Sequence, residues 1–149
     1  CPACRTVFRR MKKYKSLFNN NMAFIFRHYP LQNLHPNAVM AAMASEAAAQ
    51  QGKFWEMHDN LFEKQGDWAY HEDPAALFSR YAHSLGLRMN TFLQDLESQD
   101  IRSRVMNDHQ SGGDAGVVAT PSLFLNGKEV YARELMTKLE ELMKISHGK

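Results

Sequence analysis

The chain has 149 residues, 44% of them hydrophobic and 23% charged, which is typical of one globular domain. A net charge of +2 is too small to indicate nucleic-acid binding, and no basic motif with interleaved aromatic residues supports it. No apolar run approaches the roughly 18 residues needed to span a bilayer, and no signal peptide is visible.

Hydrophobic spacing predicts a helix at the start of the chain and a strand after it. Apolar residues recur at helical spacing from Ala3 to about Phe18, and the other face of this helix is basic. The turn "NNN" at residues 19–21 ends the helix. The following run "MAFIFRHYP", residues 22–30, is rich in β-forming residues and predicts a buried strand.

The middle of the chain predicts a block of helices. An alanine-rich run from Asn37 ends at the helix-stopping Gly52, and "KFWEMHDNLFEKQ" continues with a second helix. Asp73 and Pro74 are a cap and a first-turn proline for a third helix, which runs to Gly86. Two further helices are predicted, one capped by Asn90 and one over about residues 100–110.

The end of the chain predicts a β-hairpin and a last helix. A glycine-rich segment, "SGGDAGV", leads into a strand over Ser122–Leu125, and Asn126-Gly127 is a strong two-residue hairpin signal. The partner strand is predicted over Glu129–Tyr131, and an amphipathic helix follows. We find no repeat or linker, so a single domain is predicted over residues 1–149.

Both cysteines of the chain lie in "CPAC", at the predicted start of the first helix. A helix N-terminus presents unpaired N–H groups and the positive end of the helix dipole, which together can lower a cysteine pKa from about 8.5 to roughly 3.5–7. Cys1 is then the exposed nucleophile, and Cys4 is the more buried thiol that can attack a mixed disulfide. Pro2 suits the first helical position, where its missing N–H is not needed. Ala3 adds no charge and no side-chain donor beside Cys1.

A zinc site is the main structural alternative for the cysteine pair. It needs two further ligands, and the chain has no third cysteine. The seven histidines are scattered and form no H-x3–5-H pair. We therefore predict no metal site, and structural roles for His28 and His35.

A second motif lies far along the chain in "VATPSLFLNG". A proline directly before a strand is often only an edge or turn residue. A functional cis-proline at Thr120-Pro121 is the alternative, and the C-x-x-C pair elsewhere in the chain favours it.

The chain resembles the DsbA-like thioredoxin-fold family of thiol–disulfide oxidoreductases. The similarity rests on "CPAC", "FIFRHYPL", "HPNAVMAAMASEAAAQQGKFWEMHDNLFEKQ" and "GVVATPSLFLNG", which occur in order over nearly the whole chain. It implies an α/β thioredoxin-like fold with a helical subdomain inserted over about residues 37–110. It also implies that Cys1 attacks, Cys4 resolves and Pro121 is the cis-proline, while the backbone of Thr120 binds an extended substrate.

The resemblance also implies a β-strand directly before the first cysteine, in the middle of the sheet. Nothing precedes Cys1 in this sequence, so the sheet is expected to lack that strand. The gap would leave backbone groups unpaired in the core. We therefore expect a natural protein that is longer at its N-terminus, or a strand supplied by another chain.

The sequence thus predicts a protein thiol–disulfide oxidoreductase, with an oxidase favoured over a reductase or isomerase. A non-catalytic binding or chaperone-like module of the same fold is an alternative, and so is a glutathione-linked enzyme of a related fold. The expected partners are cysteine-containing proteins and a redox partner that reoxidises or reduces the cysteine pair. No cofactor, metal or nucleic acid is expected. The resemblance implies an extracytoplasmic setting: periplasmic, secreted or membrane-anchored.

Overall fold

A computed structural model describes residues 1–14, 17 and 22–147 of the chain. The chain divides into two compact units. The cysteine unit comprises Cys1–Phe26 and Val117–Lys149, and the helical unit comprises Arg27–Gly116. The helical block predicted over about residues 37–110 lies within the helical unit.

The helical unit is built around one alanine-rich helix. Its helices are α2 (Ala38–Ala49), α3 (Phe54–Glu63), α4 (Gln65–Trp68), α5 (Pro74–Ser84), α6 (Met89–Leu96) and α7 (Gln99–Asp114). Every residue from 41 to 48 of α2 is buried, and α3, α5, α6 and α7 all pack against this helix. Small alanine side chains let four neighbours approach one helix closely, so α2 forms the centre of this core.

Local signals in the sequence account for several helix ends. Gly52 follows α2 with a φ of +72°, a conformation that residues with a Cβ rarely adopt. Asp73 accepts a hydrogen bond from the N–H of Ala76 at 3.0 Å, and Pro74 is the first residue of α5. Ser98 caps α7 in the same way through the N–H of Ile101.

A buried polar cluster joins the start of the helical unit to α2 and α7. His28 Nε2 lies 3.0 Å from Glu46 Oε1, and these residues are only 4% and 5% exposed. Arg104 Nε lies 2.8 Å from the other oxygen of Glu46. Asp108 accepts from the backbone N–H of His28 at 3.0 Å and pairs with Arg27 at 2.7 Å. The structural role predicted for His28 is thus confirmed, whereas its partners were not foreseen.

The cysteine unit contains α1 (Pro2–Lys12), β1 (Leu123–Leu125), β2 (Lys128–Val130) and α8 (Ala132–His147). The strands are antiparallel, with Phe124 opposite Glu129. Asn126 and Gly127 connect them with φ of 50° and 79°, the two positive values that a tight hairpin of this kind requires. A small core lies between α1 and α8. It consists of Met11, Tyr14, Leu17, Leu135, Met136 and Leu139.

The buried strand predicted over residues 22–30 is wrong. The segment has no regular secondary structure, and within the described residues the sheet contains only β1 and β2. Phe24 and Ile25 are 37% and 75% exposed rather than buried. From residue 27 onward the segment bonds to side chains of α7, so the N–H of His28 is satisfied by a carboxylate instead of a strand.

Several predicted boundaries also need correction. Asn90 does not cap α6, because that helix already begins at Met89. Helix α7 continues to Asp114 through Gly112 and Gly113 of the predicted loop, despite the low helix propensity of glycine. Helix α1 ends at Lys12, and part of its predicted extension to Phe18 lies outside the described residues. Strand β2 begins and ends one residue earlier than predicted.

Candidate active site

Cys1 occupies the capping position of α1. Its Sγ accepts a hydrogen bond from the backbone N–H of Cys4 at 3.3 Å, and Pro2 follows as the first helical residue. No acidic residue lies in the first turn of this helix. A sulfur in this place is surrounded by the partial positive charge of the helix N-terminus, which stabilises a thiolate.

The structure brings the two predicted motifs together, although 119 positions separate them. Cys1 Sγ donates to the carbonyl oxygen of Thr120 at 3.5 Å. The peptide bond between Thr120 and Pro121 is cis. Cys1, Cys4, Thr120 and Pro121 are all partly buried, and both cysteines are free thiols. The four sequence-predicted site residues therefore belong to one locality within the cysteine unit.

Cys4 differs from Cys1 in its surroundings. Burial raises the pKa of the Cys4 thiol, because a charged thiolate is poorly solvated there. The hydroxyl of Thr120 interacts with this sulfur and lowers the pKa in part. The arrangement therefore favours a protonated Cys4 beside a Cys1 whose sulfur receives an amide hydrogen bond.

The side chain of Thr120 is a feature of the candidate site that sequence reasoning missed. Only its backbone was expected to act, in binding substrate. Its Oγ1 is buried and makes no hydrogen bond of good geometry within the described part of the chain. The interaction of this hydroxyl with the Cys4 sulfur could not be predicted from any local sequence pattern, since the contact depends on the fold.

Replacement of Thr120 by valine is expected to raise the pKa of Cys4 further. Valine keeps the shape of threonine but removes the hydroxyl that offsets the effect of burial. At a given pH near neutrality the thiolate fraction of Cys4 then falls, so its alkylation by iodoacetamide slows severalfold and its pH profile moves to higher pH. Mass spectrometry of the alkylated peptide measures this.

Ser122→Ala is the matched control for that substitution. It removes a hydroxyl two residues away that bonds to the Ala119 carbonyl at 3.0 Å and has no role at the cysteines. An unchanged Cys4 profile in Thr120→Val, or an equal shift in Ser122→Ala, would contradict the role given to the Thr120 hydroxyl.

A cysteine pair at a helix N-terminus, in contact with a Thr-Pro segment before a strand, is the arrangement that the resemblance to thioredoxin-fold proteins implies. The chain belongs to the thioredoxin family, whose family model matches residues 1–144. A thioredoxin-like oxidoreductase from Silicibacter pomeroyi has a similar structure, with a TM-score of 0.73 and 22% sequence identity. The similarity covers 97% of this chain and 81% of that one. The DsbA-like resemblance and the thioredoxin-like fold class are thereby confirmed.

The chain is also similar to one part of several longer proteins. The chain is 38% identical over 130 residues to Na(+)/H(+) antiporter NhaA 1 of Mycolicibacterium gilvum and 33% identical over 130 residues to Na(+)/H(+) antiporter NhaA of Herminiimonas arsenicoxydans. These matches cover 86% and 87% of this chain but 20% of each relative, so the chain spans about a fifth of their length. Among the described residues, no helix combines the length and apolar character that crossing a membrane requires.

Proposed function

We propose that this chain is a protein thiol–disulfide oxidoreductase that acts through Cys1 and Cys4 and works as an oxidase. The observation that carries the proposal is the position of Cys1 Sγ, which accepts the N–H of Cys4 and contacts the carbonyl of Thr120. Membership of the thioredoxin family supports the reaction class. The proposal that the chain oxidises its substrates, and does not reduce them, is argued from the chemistry of the two sulfurs.

The proposed reaction begins with a disulfide between Cys1 and Cys4. A substrate thiolate attacks Cys1 Sγ, a substrate–Cys1 disulfide forms, and the Cys1–Cys4 bond breaks with Cys4 leaving and taking up a proton. A second substrate thiolate then attacks the substrate sulfur and releases Cys1 as a thiolate. The substrate has lost two electrons and gained a disulfide, while the enzyme holds a dithiol that an external disulfide oxidant, the redox partner, must reoxidise.

The environment of the cysteines supports the oxidising direction. A dithiol whose Cys1 is stabilised as a thiolate is a more stable product, and a more stable reduced form makes a stronger oxidant. The raised pKa of Cys4 keeps the second sulfur neutral, so two thiolates do not repel each other. The Thr120 carbonyl also becomes free for an N–H of an extended substrate once Cys1 has lost its proton, which fits the substrate-binding role proposed for Thr120 and Pro121.

The equilibrium potential of the Cys1–Cys4 couple, measured against glutathione, tests the direction. We expect a value between about −120 and about −200 mV, the range of oxidising members of this fold. A potential near about −270 mV would assign the chain as a reductase instead. A reductase runs the same steps backward, with Cys1 attacking a substrate disulfide and Cys4 resolving it.

The compartment and the partners are part of the proposal. Stable disulfide formation needs an oxidising environment, so an oxidase of this kind fits an extracytoplasmic setting with cysteine-containing proteins as substrates. We also propose that a strand from elsewhere completes the sheet, because within the described residues β1 pairs only with β2, and Phe124 on β1 is 46% exposed. A cooperatively unfolding monomer of this chain would contradict strand completion.

The curated relatives support a second candidate, in which the chain is a module of a longer Na(+)/H(+) antiporter. The sequence similarity to antiporters over most of this chain favours it. In such a polypeptide the module either exchanges disulfides or only binds a partner. Cys1→Ser in the full-length polypeptide distinguishes these roles. If the module only binds a partner, the substitution leaves antiport unchanged, whereas a module that acts by disulfide exchange loses its influence on antiport.

A further inference from the structure

The positive charge of the chain is concentrated in the unit that carries the cysteines. The cysteine unit contains eleven Lys and Arg against four Asp and Glu, a formal net charge of +7. The helical unit contains seven against twelve, a formal net charge of −5. The overall charge of +2 is therefore the sum of a strongly basic cysteine unit and an acidic helical unit.

Helix α1 brings part of this charge to the reactive sulfur. No Asp or Glu occurs in Cys1–Phe26, and the N–H of Arg5 donates to the Cys1 carbonyl at 3.2 Å, one turn along the helix. Arg5 and Arg9 follow Cys1 at spacings of four and eight residues, which places them about 6 and about 12 Å away along the axis and rotates them by about 40° and about 80° around the helix. Arg10 is about half a turn from Cys1 around the same helix.

The acidic side chains of the same unit that form ion pairs do so with lysines and not with Arg9. Glu140 lies 3.1 Å from Lys13, and Glu134 lies 2.7 Å from Lys138, so two of the four carboxylates are already paired with lysines. Arg9 is exposed and forms no ion pair with any described residue. Its charge is therefore free to act on a substrate at Cys1.

We infer that the substrates of this site are polypeptides with Asp or Glu close to the reacting cysteine. The inference rests on the proposed function, because it concerns the chain whose sulfur meets Cys1. An extended polypeptide advances about 3.3 Å per residue, so acidic residues about two to four positions from the substrate cysteine reach Arg5 and Arg9. Opposite charges so placed speed encounter and favour the mixed disulfide.

Three single-cysteine peptides, identical except for Asp, Asn or Lys three residues to either side of the cysteine, test the inference. Each peptide thiol reduces the oxidised chain, and its rate is divided by its rate with hydroxyethyl disulfide, since flanking charge also alters the reactivity of the thiol itself. We expect the normalised rate for Asp to exceed that for Lys by about three- to tenfold at low ionic strength and by less than about twofold near 1 M salt.

Variants assign the effect to one face of α1. Arg9→Gln is expected to reduce the ratio of the Asp rate to the Lys rate, and Arg9→Glu is expected to bring it close to one, because the new carboxylate offsets the charge of Arg5. Arg10→Gln is the matched control, since it removes the same charge from the same helix at an exposed position turned away from Cys1. An equal loss of preference in Arg9→Gln and Arg10→Gln would overturn the assignment to the Arg5–Arg9 face.

Other outcomes separate this inference from the proposed function. Exchange with all three peptides at equal normalised rates would overturn the inference and leave the proposed function standing. A folded chain that exchanges disulfides with none of them would overturn the proposed function itself. Binding to phosphatidylserine vesicles that is lost in Arg9→Gln, together with equal peptide rates, would assign the basic face to a membrane surface and also overturn the inference.

Discussion

Serine in place of Cys1 is expected to lower disulfide exchange with protein substrates by at least about a thousandfold, because it removes the atom that forms the mixed disulfide. The hydroxyl of serine cannot form a disulfide, and the remaining Cys4 is a half-buried thiol with a raised pKa. The measurement is the rate at which catalytic amounts of the chain speed the oxidation of a reduced two-cysteine peptide by glutathione disulfide, because the variant cannot itself form the Cys1–Cys4 disulfide. A loss of less than about tenfold would show that another group carries the reaction.

Serine in place of Cys4 should have a different result that identifies the roles of the two sulfurs. With no resolving thiol, a substrate disulfide attacked by Cys1 stays attached, so mass spectrometry should find a stable Cys1 adduct. Ala3→Ser is the matched control, since it adds a hydroxyl at an exposed position between the two cysteines and should accumulate no adduct. An adduct at Cys4 in Cys1→Ser, with none at Cys1 in Cys4→Ser, would reverse the assignment.

Alanine in place of Glu46 is expected to lower the free energy of unfolding of the helical unit by about 3 kcal/mol. The substitution removes the buried carboxylate that lies 3.0 Å from His28 Nε2, and it replaces a buried side chain with a smaller one. Arg104 is 67% exposed and can turn to water, which keeps the loss at the lower end of the range for a broken buried pair. Urea denaturation followed by tryptophan fluorescence measures it, because Trp55 and Trp68 both lie in the helical unit.

Glu56 provides the matched control for Glu46. It forms an exposed pair with Lys53 at 2.8 Å in the same unit, and Glu56→Ala should cost no more than about 0.5 kcal/mol. A loss for Glu46→Ala equal to that of the control would show that the buried cluster contributes nothing specific.

The same cluster makes the stability of the helical unit depend on pH in the acidic range. Burial disfavours the charged form of Glu46, but the hydrogen bond from His28 and the charges of His28 and Arg104 outweigh it, so the pKa of Glu46 is below its ordinary value of 4.5. A lowered pKa in the folded state means that this contribution is full above pH 4.5 and is lost as the pH falls through the folded pKa. The stability advantage over Glu46→Gln should therefore shrink on acidification, and a constant difference from about pH 6 to about pH 3 would contradict the argument.

Local chemistry made much of this fold predictable. The helix stop at Gly52, the cap at Asp73 and the Asn126-Gly127 turn each depend on one or two residues and their immediate backbone, so the sequence contains the whole cause. The strand predicted over residues 22–30 was wrong for the opposite reason. Its composition suits a strand, but a strand needs a partner, and Asp108 on a distant helix supplies the hydrogen bond instead.

The features of the candidate site also fall into those that local sequence predicts and those that depend on tertiary contacts. The cysteines could be assigned from "CPAC" alone, since the helix that they start is a local structure. Their proximity to Thr120 required family resemblance, because no spacing rule connects residues 119 positions apart. The Thr120 hydroxyl and the Glu46 cluster were beyond prediction, since both are buried contacts created by tertiary packing.

The cysteine unit consists of two segments that are far apart in the sequence, so during translation its two parts are made at different times. The ribosome releases Cys1–Phe26 first, then the whole helical unit, and only afterwards Val117–Lys149 with the hairpin and α8. The helical unit is continuous and has its own core, so it has all its packing partners before the cysteine unit does. Until the last segment is made, both thiols lack their contacts with Thr120, and α1 lacks its packing against α8. A nascent chain in an oxidising compartment thus exposes its own reactive pair before the site that controls it exists.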